Sequence, residues 1–211
     1  MKLALGTAQF GLDYGVSNIS GQVQLSEVKQ ILREAELNNI DTLDTAMVYG
    51  ESETILGKAG VKNFKIITKL PSMPPNTSSV NEWVNIQILS SLKKMEIEKI
   101  SAVLFHKSGD LLKPHKTELL DSLYEMKKLG IIKKIGISIY NPNELDAIYQ
   151  NDIKIDIVQA PFNIFDRRLE SSGWLKRLNS DGVEVHARSI FLQGLLLQRK
   201  EQRNIYFKKW E

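Results

Sequence analysis

An aspartate, a tyrosine, a lysine and a histidine stand in or just beyond three apolar runs. Asp44 closes NNIDTLDTA with Tyr49 shortly after it, Lys69 lies in FKIITKL, and His106 ends SAVLFH. These side-chain types can do proton chemistry together. An unperturbed phenol has a pKa of about 10, too high for easy exchange near neutrality. An ammonium such as Lys69 beside Tyr49 favours the phenolate and lowers that pKa, and a carboxylate such as Asp44 keeps the ammonium charged and in place. His106 can donate a hydrogen bond to a substrate oxygen. Together they could deliver a proton to a carbonyl oxygen while a hydride reaches the carbon, with general acid catalysis contributing roughly 10²–10⁴-fold. Each residue also has a plain structural role open to it. Asp44 could cap a helix, Tyr49 could be a half-buried loop residue, Lys69 a solvated charge, and His106 a core histidine with a backbone partner. The combination at successive strand ends favours the chemical reading.

That reading needs elements that bring distant residues together. Strand-like runs fall at 3–6, 40–45, 65–70, 102–106, 134–139, 155–160 and 183–189. They read as near-continuous Val/Ile/Leu, the composition of strands buried on both faces of a parallel sheet. Helical patterns lie between them: LSEVKQILREAELNN with Ser26 as its expected N-cap, VNEWVNIQILSSLKKM, LLDSLYEMKKLG and LESSGWLKRLNSDG. Gly130 and Gly182 stand where helix C-caps are expected. Strand and helix in rotation predict right-handed βαβ units, and the architecture that fits best is a (β/α)8 TIM barrel, whose active sites lie at the C-terminal ends of the strands. A doubly wound sheet would require a G-x-G fingerprint after the first strand, and Gly6-Thr7-Ala8-Gln9-Phe10-Gly11 lacks it. PSMPPNTSS (71–79) reads as a loop beyond a strand's C-terminal end.

At 211 residues, with 42% hydrophobic and 25% charged residues, the chain is ordinary for one soluble globular domain spanning 1–211. A net charge of +3 without a basic patch argues against nucleic acid. There is no cysteine, which excludes disulfide and thiolate chemistry. No apolar run approaches the ~20 residues of a membrane span, and KLALG directly after Met1 leaves no room for a signal peptide, so a cytoplasmic protein is expected. His106, His115 and His186 lack metal-ligand spacing, and no metal is expected. A barrel of this type typically needs about 250 residues. After the seventh run only QGLLLQRKEQRNIYFKKWE remains, so an eighth strand and its helix are expected to be missing, with IYFKKW as the opening of a helix cut short. Two open sheet edges would then invite self-association.

These motifs resemble the aldo-keto reductase superfamily. The chain reads Gly6-Thr7-Ala8, and then Asp44-Thr45-Ala46-Met47-Val48-Tyr49-Gly50-Glu51-Ser52-Glu53-Thr54-Ile55-Leu56-Gly57, where the family has G-T-A and D-T-A-x-x-Y-G-x-S-E-x-x-L-G. Lys69 in ITKL, Ser91-Leu92 with His106, and Gly130 through Gly136-Ile137-Ser138 match further segments. The resemblance runs from residue 3 to about 197 and implies a barrel lacking its eighth strand, a truncated member of the family. It implies that Asp44, Tyr49, Lys69 and His106 are the catalytic positions, with Tyr49 the proton donor, and that NADPH supplies the hydride to a small-molecule carbonyl substrate. It implies cofactor contacts at Gly6, Thr7, Ala8, Asp44, Ser138, Gln159, Arg188, Ser189, Phe191 and Gly194.

Two departures carry consequences. Ile139 follows Ser138 where the family often has Asn, and Arg188 stands where an aromatic usually stacks on the nicotinamide. Arg188 would repel oxidised nicotinamide and favour the reduced cofactor or a charged substrate; alternatively it could pair with Asp166 across the mouth. The family's eighth strand and following helix hold the adenosine 2′-phosphate, so weakened cofactor binding is expected. The stretches QFGLDYG and HARSIFLQG resemble members associated with bacterial surface-sugar biosynthesis, which implies a sugar-like carbonyl. Loops 9–18, 71–80 and 107–115 are the expected substrate contributors, with Phe10, Tyr14 and Trp83 as candidate lining. A catalytically impaired relative that binds a partner or small molecule is the alternative function, and an aldolase using Lys69 as a Schiff base a weaker one, because Asp44 nearby would raise the amine's pKa.

Overall fold

The computed structural model describes residues 2–203 and 205–210. Its strands are β1 (Leu5–Gly6), β2 (Thr42–Asp44), β3 (Lys65–Leu70), β4 (Ile100–Phe105), β5 (Ile132–Ser138), β6 (Ile157–Pro161) and β7 (Glu184–Arg188). The helices are α1 (Ala8–Gly11), α2 (Leu25–Leu37), α3 (Ser52–Ala59), α4 (Val80–Met95), α5 (Lys116–Lys128), α6 (Asn143–Gln150), α7 (Arg168–Ser171) and α8 (Trp174–Ser180). All strand pairings are parallel, and the seven strands follow one another in sequence order from β1 to β7. A doubly wound sheet reverses its strand order partway, so this order rules it out. The fold is a (β/α)8 barrel without its eighth strand among the described residues.

The strand sequences explain the layering. In β3, Ile66 and Leu70 join the apolar layers beneath the helices, whereas Ile67 points the other way and packs with Ala102, Leu104 and Ile157 inside the curve of the sheet. This is the period of two along a strand, here with both faces buried. In the same register Gly6 lies beside Asp44, Asp44 beside Ile67, Lys69 beside Leu104, Ser138 beside Gln159, and Pro161 beside Arg188. The inner face is therefore apolar at mid-height and polar toward the strands' C-terminal ends. Helix α4 shows how the outer layer is built. Ser79 caps it by accepting from the Glu82 amide at 3.3 Å, Val80, Val84, Ile88, Ser91 and Met95 form its buried stripe, and left-handed Glu96 ends it.

Several local expectations are corrected. β1 is limited to Leu5–Gly6, with Leu3 exposed. Helix α2 begins one residue before Ser26, so Gln24 is the cap position and Ser26 lies in the first turn. The LESSGWLKRLNSDG pattern is broken by Gly173, whose φ of 82° no helix can continue, into α7 and α8. IYFKKW forms a 3-10 segment, Ile205–Trp210. Phe10 is buried beneath the sheet and Trp83 packs against the main core, so neither lines the mouth.

The edges β1 and β7 do not pair with each other, yet the loops that leave them touch. The Val16 amide donates to Gln193 Oε1 at 2.9 Å, Ser17 Oγ donates to the Gln193 carbonyl, and Gln193 Nε2 donates to Tyr14 Oη at 3.1 Å. The rim of the mouth is thus bridged where the sheet is not.

Close approach of β5 to β6 depends on Gly136, where a Cβ would sit 2.0 Å from the Ile157 carbonyl oxygen and 2.5 Å from Ile157 Cγ2. Gly136→Ala is expected to destabilise the fold by about 1–3 kcal/mol through overpacking. For a chain of this size that lowers Tm by roughly 2–4 °C per kcal/mol, which a thermal melt followed by circular dichroism measures.

Candidate active site at the barrel mouth

Lys69 organises the site. Its side chain is 1% exposed, and its Nζ donates to Asp44 Oδ1 at 2.8 Å, Asp44 Oδ2 at 2.9 Å and the Thr45 carbonyl at 2.8 Å. All three ammonium hydrogens are therefore engaged. Asp44 Oδ1 also accepts from Gln159 Nε2 at 2.7 Å, so one carboxylate ties β2, β3 and β6 together. Asp44 is not a helix cap: its carboxylate faces the pocket. Burial pulls the Lys69 pKa down, and Asp44 opposes that shift.

Tyr49 comes from the turn between β2 and α3. Its ring centroid lies 5.1 Å from Lys69 Nζ and 6.0 Å from the His106 ring, which meets it edge-on at 83°. The turn is held from beneath. Gly11 and Gly50 pack backbone to backbone, and a Cβ on Gly11 would fall 1.9 Å from the Tyr49 carbonyl oxygen. Ser52 Oγ donates to the Thr7 carbonyl at 3.0 Å and contacts Thr45 Oγ1 at 3.1 Å, while Glu53 accepts from Thr68 and Ser91 underneath. Gly11, Gly50, Ser52 and Glu53 carry no reactive role of their own in the sequence. Their importance lies in contacts that only the folded chain forms.

The expected depression of the Tyr49 pKa does not hold in this arrangement. Burial is the largest effect and pushes the phenol up, Asp44 adds to it, and Arg188 partly offsets it. Lys69 has most of its charge answered by Asp44, so it does not reverse the shift. Tyr49 is accordingly a firmly protonated phenol. His106 moves the opposite way: burial lowers its pKa, Lys69 and Arg188 lower it further, and Asp44 opposes them. A neutral imidazole beside a protonated phenol gives two hydrogen-bond donors at one point of the mouth.

The remaining expected residues divide by position. Ser138 and Gln159 are neighbours in register, and both are buried. Gln159 Oε1 is buried without a hydrogen-bond partner among the described residues. Such an orphan acceptor is costly to bury, and a carboxamide N–H₂ would satisfy it. A Cβ at Gly6, beside Asp44, would meet nothing within 4 Å. These features fit a nicotinamide. Thr7 is committed to structure, its hydroxyl donating to the Asp44 carbonyl at 3.0 Å, and Ala8 opens α1. Ser189, Phe191 and Gly194 lie in the turn after β7, with Phe191 exposed and Gly194 so close to Ser17 that a Cβ there would fall 2.6 Å from its Oγ. Arg188 does not pair with Asp166, which is occupied by Arg168 at 2.7 Å. Its Nη2 donates to the Ile139 carbonyl at 3.0 Å, and its guanidinium lies 4.2 Å from the Tyr140 ring centroid. Tyr140 is a mouth residue the sequence did not reveal, since nothing in Ile139-Tyr140-Asn141 marks a stacking partner for a strand two places away.

With a barrel mouth that gathers an Asp–Lys pair, a phenol and an imidazole, comparison with known proteins is decisive. Residues 2–211 match the Aldo/keto reductase family, and the chain belongs to it. Among curated relatives, oxidoreductase YqkF of Bacillus subtilis is 28% identical over 94% of this chain and 67% of its own length. Oxidoreductase sirO of Leptosphaeria maculans is 26% identical over 99% of this chain and 65% of its own. The chain thus spans about two thirds of the length of these relatives. An aldo-keto reductase from Bacillus halodurans in its holo form superposes with a TM-score of 0.75 at 23% identity, covering 94% of this chain and 65% of that one. No helix among the described residues is long and apolar enough to cross a membrane.

The opposed charges around His106 give a signed test. Its imidazole is expected to titrate below the ordinary value of about 6.5. Lys69→Met should move that titration up and Asp44→Asn should move it down, read from its ring resonances by NMR. Because the unfolded chain binds this proton first, the contribution of His106 to stability is present above about pH 6.5 and is lost as pH falls through the folded value.

Proposed function

We propose that the chain carries out nicotinamide-dependent reduction of an aldehyde or ketone, with Tyr49 as proton donor. The observation that supports this best is the convergence of a protonated Tyr49 and a neutral His106 beside the ion pair of buried Lys69 with partly exposed Asp44. A reduced nicotinamide, when bound, supplies the hydride. Tyr49 donates its phenolic proton to the substrate's carbonyl oxygen as the carbon is reduced, so the product alcohol gains one hydride and one proton. His106 donates a hydrogen bond to that same oxygen and orients it. Lys69, held by Asp44 and the Thr45 carbonyl, offsets the Asp44 charge that would otherwise oppose the phenolate developing on Tyr49 once the proton has left, and Arg188 favours that phenolate as well. A buried, fixed ammonium does this without reorganisation at the moment of reaction. Gln159 and Ser138 would hold the carboxamide.

NADPH is the cofactor we favour. A Klebsiella pneumoniae aldo-keto reductase of the same fold was solved in complex with NADPH, whereas a 24% identical relative is an NADH-specific methylglyoxal reductase of Escherichia coli. Paired titrations of the protein's tryptophan fluorescence with NADPH and NADH separate the two. The substrate is a small carbonyl compound, with sugar-like carbonyls among the candidates.

Tyr49→Phe is expected to lower carbonyl-dependent NADPH oxidation by about 10²–10⁴-fold, the usual contribution of a general acid, while the Kd for NADPH stays nearly unchanged. Full activity in this variant would remove Tyr49 from the role. Saturable cofactor binding with no turnover of any carbonyl in the native sequence would instead favour a binding protein descended from reductases.

A further inference from the structure

Charge at the mouth is mostly answered within the protein. Lys69 faces Asp44, and Asp166 holds Arg168. Arg188 is the exception: among the described residues no carboxylate lies within the 4.0 Å of an ion pair. Its hydrogen bonds go to neutral acceptors, the Ile139 carbonyl at 3.0 Å and the Ser189 hydroxyl at 3.3 Å. Its plane is fixed on the Tyr140 ring. The guanidinium carries five N–H donors, and these contacts leave several unused.

Its location is informative. On the inner face, Gln159 is level with His186, and Arg188 stands two residues further along β7 toward the mouth. At about 3.3 Å per strand residue, Arg188 is roughly 7 Å above the layer of Gln159 and Asp44. Its positive charge nevertheless reaches Tyr49, Lys69 and His106, each of which titrates differently because of it. Asp166 also feels this charge, but that carboxylate is already held by Arg168. A half-buried cation so close to the proton donor with no ion-pair partner of its own is unfavourable by itself. A ligand carboxylate can relieve this, since planar guanidinium–carboxylate pairs are strong and directional.

We propose that Arg188 anchors a carboxylate carried by the substrate, so that the preferred carbonyl compound is an oxo acid with a short spacer between its two functional groups. This rests on the reductase reading for its chemistry, but the anchoring itself is a binding property. The carboxylate sits at the rim on Arg188 and directs the carbonyl down toward Tyr49 and His106. The pinned guanidinium plane sets the orientation before the substrate arrives, which limits the entropy lost on binding.

The test begins without cofactor, by isothermal titration of the protein with succinate as an unreactive probe. Arg188→Gln is expected to weaken binding by about tenfold or more, the effect of losing a hydrogen bond to a charged group, and Arg188→Lys by less. Equal affinity in the native and Gln forms, or no succinate binding in any form, overturns the proposal. So does an equal loss for inorganic pyrophosphate, which would make Arg188 a phosphate contact. Circular-dichroism melts check folding, and the Lys variant carries the comparison if the Gln variant is unfolded. With NADPH present, the ratio of kcat/KM for 4-oxobutanoate to that for butanal should fall about tenfold or more in Arg188→Gln; an unchanged ratio overturns the proposal. Arg188-dependent succinate binding with no turnover of either carbonyl would sustain the anchor and defeat the reductase reading.

Discussion

The ion pair between Asp44 and Lys69 is the constraint around which the mouth is arranged. A fully buried ammonium is tolerable only when each of its hydrogens has an acceptor, and here two carboxylate oxygens and the Thr45 carbonyl provide them. Satisfying Lys69 fixes the ends of β2 and β3, and the bond from Gln159 to the same carboxylate adds β6. Removing Asp44 would leave the Lys69 ammonium buried with only the Thr45 carbonyl to accept from it. Geometry and electrostatics at the mouth therefore share one origin, because the pair that locks the strands also sets the field on Tyr49 and His106.

That field separates the two proton-bearing groups. Burial favours the uncharged form of each, which raises the phenol and lowers the imidazole. The outcome is a pair of neutral donors around a nearly neutral ion pair. Low-dielectric surroundings strengthen hydrogen bonds to a polarised carbonyl oxygen, and the preformed arrangement needs little rearrangement to use them. Arg188 stands outside this internal balance. Its stacking on Tyr140 fixes its position without neutralising it.

The seven-stranded sheet places these groups despite its two edges. Asp44, Lys69, His106, Ser138 and Gln159 belong to β2 through β6 or the residues just beyond them, and each of those strands has a neighbour on both sides. Only Arg188, ending β7, and Gly6, in β1, lie on edge strands. The rim contacts through Gln193 join the loops from those two edges. The candidate site is thus in the best-supported part of the sheet, and the rim depends on loop-to-loop hydrogen bonds instead.

Much of this was legible in the residues themselves. Continuous Val/Ile runs alternating with three- and four-spaced helical patterns define parallel βαβ units, because burial on both faces leaves no other composition for the strands. The D-T-A-x-x-Y-G segment, Lys69 and His106 mark the candidate groups, because few other side chains can move a proton to a carbonyl oxygen, and the fold brings them to one mouth. Tertiary structure alone decided how those groups behave. The rise in the Tyr49 pKa depends on how much water is excluded, a quantity spread over many distant residues. Arg188 takes Tyr140 and backbone as neighbours, and Asp166 takes Arg168, because the local turn at 166–168 sets those two side by side. Gly11 and Gly50 matter through a contact between loops that are far apart in the chain. Sequence spacing specifies which strand end a residue occupies, whereas partners across the mouth follow from the curvature of the open seven-stranded sheet, which no local pattern encodes.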